Sequence, residues 1–118
     1  MNYTTIREIA KKYQEERYTD YGIKKAVGIR IQESDYGLAI GDTVEHRSYV
    51  RDDGNQMDEQ LEGVCAIDVN KALELEGYGG YDGDVAVVIE SEEWDAGEDF
   101  GEIVMREAIV IDIIIEEE

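Results

Sequence analysis

The chain has 118 residues, with 11 lysines and arginines against 30 aspartates and glutamates, a formal charge of -19 with the single histidine neutral. That length suits one domain (1–118), and a 42% hydrophobic content supplies a core, so a wholly disordered acidic tail is excluded. A surface this negative repels phosphate and offers no basic cluster to offset the repulsion, which excludes direct nucleic-acid binding and points to basic protein partners.

The charge divides unevenly along the chain. Residues 1–30 hold 7 basic and 4 acidic side chains (+3), and residues 31–118 hold 4 and 26 (-22). An N-terminal helical region (1–22) is therefore expected ahead of an acidic, β-rich body (23–118). No run of about 18 apolar residues marks a membrane span, and Met1-Asn2-Tyr3 begins no basic-then-apolar leader. The expectation is a soluble protein of the cytoplasm of a bacterial host, with no membrane contact. Cys65 is the only cysteine, so neither an internal disulfide nor a cysteine metal site can form, and within Val64-Cys65-Ala66-Ile67 it reads as a small buried hydrophobe.

In chain order, Thr5 and Glu8 have capping-box spacing, and Ile6, Ile9, Ala10 and Tyr13 recur with helical period, which predicts a helix from about Ile6 to Arg17. Its other face carries Arg7, Lys11, Lys12 and Arg17. Ala26 to Gln32 reads as a strand with Val27, Ile29 and Ile31 on one side and Gly28 and Arg30 on the other. A strand over Thr43 to Val50, with Val44 inward, precedes the strong turn Asp52-Asp53-Gly54-Asn55. One helical turn is expected over Met57 to Glu62, then a strand at Val64 to Asp68 and a second helix over Val69 to Glu76 stopped by Gly77. Val85 to Ile89 is continuously apolar, as in a strand buried on both faces.

From Glu90 to Glu102 seven of thirteen residues are acidic and none is basic, which predicts an exposed loop. Ile103-Val104-Met105 and Ala108 to Ile115 read together as one long or bulged strand, either interior to the sheet or paired across a homodimer. The whole predicts an α+β fold: an N-terminal helix, a mostly antiparallel sheet and one further short helix.

Three functional readings compete for the acidic stretch: solvation, a hard-cation site, and a carboxylate array that is itself the function. Asp82, Asp84, Asp95, Glu98, Asp99 and Glu102 are oxygen ligands of the kind Ca2+ takes, which would make a Ca2+-dependent interaction module, but they fit no twelve-residue calcium loop. Duplex DNA carries about one charge per 1.7 Å, and the basic grooves that hold it can be filled by carboxylates fixed at suitable spacing. The acids Glu90, Glu92, Glu93, Asp95, Glu98 and Asp99, with Asp52 and Asp53, are the candidate partner contacts. Trp94, Tyr78 and Tyr81 are the candidate aromatic anchors among them. In size, charge and these acidic segments, together with Asp58-Glu59 and Glu116-Glu117-Glu118, the chain resembles small phage-encoded DNA mimics of the anti-restriction and anti-CRISPR type. The resemblance implies a non-enzymatic inhibitor that needs no cofactor and binds a basic nucleic-acid-binding protein of a defence system. It rests on no diagnostic motif, so it assigns no residue roles.

An enzyme reading is set beside it. His46 stands alone, with no nucleophile elbow, P-loop or H-E-x-x-H. The order Arg30 on an early strand, Ser48 in Arg47-Ser48-Tyr49-Val50, and Glu98-x-x-x-Glu102 before a late strand is similar to toxin-type ADP-ribosyltransferases. That similarity implies NAD held by Arg30, a nicotinamide pocket shaped by the Ser48 strand and an oxocarbenium-like transition state stabilised by Glu102. The serine motif and the four-residue acidic spacing both depart from the family's pattern. The structural alternative makes Arg30 a sheet-face cation and Glu102 the opening residue of a strand.

Overall fold

The structure, a computed structural model, describes residues 1–14, 25–35, 37–44, 48–49, 61–62, 64–75, 79–96 and 101–116. Two helices, α1 (Tyr3–Gln14) and α2 (Val69–Ala72), accompany eight strands. These are β1 (Ala26–Gln32), β2 (Ser48–Tyr49), β3 (Leu61–Glu62), β4 (Val64–Asp68), β5 (Val85–Ser91), β6 (Glu93–Ala96), β7 (Glu102–Arg106) and β8 (Ile109–Ile115). Six of them form one antiparallel sheet in the order β6-β7-β4-β1-β5-β8, and β2 pairs with β3 separately. The fold is α+β.

The first helix starts earlier than its sequence spacing indicates. Asn2 is the cap: its side-chain oxygen accepts from the Thr5 N–H at 2.9 Å and its carbonyl from Ile6 at 3.1 Å. Antiparallel pairing of Asn2 with Gly80, and a bond from the Tyr3 N–H to the Gly79 carbonyl, fix the start of the helix against the loop before β5. The last expected residues of this helix, 15–17, lie outside the described residues, as do Gly77 and the turn at 52–55. Asp68 caps α2 by accepting from Asn70, and α2 gives way to a turn after Ala72, short of the expected Glu76. Leu61 and Glu62, expected in a helical turn, are extended because they pair with Tyr49 and Ser48.

Two apolar clusters lie on the two faces of the sheet. Ile6, Ile9 and Tyr13 of α1 pack with Val27, Ile29 and Val88 on one face. On the other, Val85, Val87 and Ile89 meet Val64, Ile103 and Met105. Strand β5 alternates between the clusters and is buried along Val85 to Ile89, as its continuous apolar run predicts. Each such side chain contributes about 1.5–3 kcal/mol by leaving water.

The sheet curls. Only Glu107 and Ala108 separate β7 from β8, yet these strands stand second and sixth in the order, so the sheet must bend until its ends approach. Gly28 marks the closest packing inside the curl, since a Cβ there would lie 2.7 Å from both the Ala66 Cβ and the Met105 Sδ. Glu107 makes the break between β7 and β8 with φ of 50°, a left-handed conformation uncommon for a residue with a side chain. The single long strand expected over Ile103 to Ile115 is therefore two strands on opposite wings of the sheet.

Strand β8 is an edge and not an interior strand. Its first half is covered by the chain's own residues 41–44, with Gly41 donating to the Val110 carbonyl and Val44 to the Ala108 carbonyl, both at 2.8 Å. A bulge leaves Ile111 unpaired between Val110 and Asp112. Asp112 then accepts from the Tyr13 hydroxyl, lies 3.8 Å from Lys12 Nζ, and takes the N–H of Ile113 at 2.8 Å.

Candidate functional site

The stretch expected as an acidic loop is built differently. Glu90 and Ser91 finish β5, the chain bends at Glu92, and Glu93 to Ala96 form β6, the sheet's other edge, paired with β7. Ser91 is the reason. Its hydroxyl is buried (5% exposed), accepts from the Glu93 N–H at 3.0 Å and contacts the Arg106 carbonyl within donating distance, which ties the bend to the end of β7. Glu93 then stands opposite Arg106, and Trp94 opposite Met105.

Several candidate contacts are thereby brought together. Glu90 is half-buried and paired with Lys25 at 3.5 Å, while Glu92 and Glu93 are exposed. Trp94 shares the register face of Met105, which points into the inner cluster, so its ring sits at the rim of the curl with 37% of its surface exposed. Glu98, Asp99, Asp52, Asp53 and Tyr78 lie outside the described residues, and of Asp95 only the strand position is described.

Tyr81 is elsewhere. It precedes β5 while Glu90 ends it, and a seven-residue strand separates them by about 20 Å. Its ring centroid lies 5.8 Å from that of Tyr3, and its backbone grips the chain start: Tyr81 N–H donates to the Met1 carbonyl and the Tyr81 carbonyl accepts from the Met1 ammonium at 2.8 Å. Partial burial first, and then the neighbouring Tyr3 phenol, hold the Tyr81 hydroxyl above the usual tyrosine range. Tyr81 anchors the fold at the end of β5 opposite Glu90, Glu92 and Glu93.

The basic face of α1 is partly used internally. Arg7 donates to the Leu75 carbonyl just beyond α2, and Lys12 faces both Asp112 and the Tyr13 ring, 5.3 Å from its centroid. On the acidic body, Lys25 pairs with Glu90 at 3.5 Å and Arg106 stands opposite Glu93.

Arg30 and Glu102, which the transferase similarity would place on one NAD, are turned apart. Ile29 pairs with Ile67 and Ile67 with Glu102, so these three share one face, whereas Arg30 points to the other. Arg30 is held there by the Gln32 side chain at 3.1 Å and the Cys65 carbonyl at 3.3 Å. Ser48 pairs with Glu62 in the separate two-stranded ladder. Of the suggested cation ligands, Asp82 and Asp84 lie before β5 and Glu102 opens β7, and among the described residues no three acidic, histidine or cysteine side chains are placed to hold a metal ion.

A cleft of about 270 Å³ opens between the β5–β6 bend and the β7–β8 turn. Besides Glu90, Glu92 and Glu93 it is lined by Lys25, Ser91, Arg106, Glu107 and Ile109. These last five were not singled out from sequence. Arg106, Glu107 and Ile109 reach the acids through the pairing of Glu93 with Arg106 and of Glu90 with Ile109, and Lys25 is the residue before β1. No helix of the described residues is long and apolar enough to cross a membrane. No protein-family model, curated protein or solved structure matches the chain.

Proposed function

We propose that this chain is an acidic, non-enzymatic binding protein that occupies the basic nucleic-acid-binding surface of a partner protein, in the manner of an anti-restriction or anti-CRISPR inhibitor. One observation carries the reading: the densest acids lie on strand and bend, with Glu90 ending β5 and Glu92, Glu93 and Asp95 running through the bend into β6. Side chains on one face of an extended strand repeat about every 6.8 Å, twice the axial spacing of about 3.4 Å between phosphates along one DNA strand, so such acids match every second phosphate. Acids fixed on a paired strand also lose less ordering entropy on binding than acids on a floppy tail.

Opposite charges steer the encounter, and the affinity falls steeply with salt because association releases counterions, a release less favourable at high salt. The test is capture of nucleic-acid-binding proteins from bacterial lysate at low and high salt, followed by competition with duplex DNA. Binding that weakens with salt and is displaced by DNA is the expected result. Binding indifferent to both would overturn the proposal.

A further inference from the structure

We infer that the cleft between the β5–β6 bend and the β7–β8 turn is a receptor for one arginine side chain of the basic partner. The inference rests on the proposed function and deepens it by naming the contact. The cleft is concave and small: about 270 Å³ is just below the range of pockets for drug-sized ligands, and suits a single side chain. Four carboxylates (Glu90, Glu92, Glu93 and Glu107) and two cations line it, which leaves a charge of -2. Both cations are engaged, Lys25 with Glu90 at 3.5 Å and Arg106 within its own contacts opposite Glu93.

The wall is not all charge. Ile109, 43% exposed at the start of β8, gives the cleft an apolar side against which the methylene stem of a long basic side chain can lie. The buried Ser91 hydroxyl joins the two turns that form the mouth, so the site is already shaped before a ligand arrives. Carboxylates reaching in from two turns match a planar guanidinium, whose five N–H groups are distributed around its edge. A lysine ammonium is a compact and more strongly hydrated charge, and it gains less there.

The experiment is an amide-resonance titration with N-acetyl-arginine amide, with N-acetyl-citrulline amide as the neutral isostere. Saturable shifts confined to residues 90–93 and 106–109 are expected with arginine and not with citrulline. A double variant, Glu92→Gln with Glu107→Asn, removes two charges, and Asn tolerates the left-handed backbone at position 107. It should weaken arginine binding about tenfold while the remaining spectrum stays native. Equal shifts with citrulline, shifts scattered over all acidic surfaces, or unchanged affinity in the double variant would overturn the inference. If the double variant still binds nucleic-acid-binding proteins with full salt and DNA sensitivity, this inference fails and the proposed function stands. If arginine fills the cleft but no such protein binds, the proposed function fails and the cleft stands as a guanidinium site.

Discussion

Of the sheet's two edges, β8 is long and apolar and is blocked by structure, whereas β6 is short and acidic and is guarded by charge alone among the described residues. Along β8 the chain lays its own residues 41–44 over the first half, inserts a bulge at Ile111, and sets Asp112 to take the edge N–H of Ile113. These are the devices that keep an apolar edge from pairing with another chain. Along β6, the exposed Glu93 repels acidic neighbours, including a second copy of this chain, but not a basic one. A structural block rejects every strand, and a charged edge selects by sign.

The curl holds both edges in place, so the largest effect is expected from disturbing it. Gly28→Val would drive a side chain into Ala66 and Met105, and should cost about 3 kcal/mol, read as a lower midpoint in urea unfolding. Asp112→Ala acts on one edge only. It removes the acceptor for Tyr13 and Ile113 and should cost about 2 kcal/mol, and because the edge is unblocked it should also raise the sedimentation coefficient at high protein concentration.

Ser91→Ala loosens the other edge. Losing a buried hydroxyl that links β5, β6 and β7 should cost about 1–2 kcal/mol and speed amide exchange at Glu93 without promoting self-association. The smallest effect lies away from both edges. The Tyr81 hydroxyl is raised above its usual pKa of 10.0 in the folded protein, so the stability it contributes is complete below pH 10 and is lost as pH rises through the folded value. Tyr81→Phe should flatten that alkaline decline in thermal unfolding scans, and an unchanged decline would assign it to other groups.

The strands that were legible in the sequence are those whose own residues demand burial. Val85 to Ile89 and Val64 to Asp68 carry apolar and β-branched runs that fit only a sheet interior, and Ala26 to Gln32 alternates as a strand should. What escaped depends on contacts distant in sequence. Strand β6 looks like a loop because its acids have no local reason to be extended; pairing with β7 and the Ser91 tie supply that reason. The break at Glu107 has no signal either, since glycine or asparagine usually marks a left-handed residue. For the site, the acids and Trp94 could be read as a cluster, whereas Arg106 and Ile109 join them only through the pairings with Glu93 and Glu90, and Lys25 only through its ion pair with Glu90.

Strand order also has a consequence for how the molecule is made. Strand β1 lies inside the sheet although it is the first strand in the chain, and its partners β4 and β5 are distant in sequence, as in the pairings of Ile29 with Ile67 and Ala26 with Ser91. During synthesis its backbone groups therefore wait for partners until most of the chain has left the ribosome, and few local hairpins are available to nucleate the sheet. Topologies dominated by such distant pairings fold in milliseconds to seconds. Throughout that interval the carboxylates of the acidic body repel those of neighbouring nascent chains, which opposes aggregation before the sheet has closed.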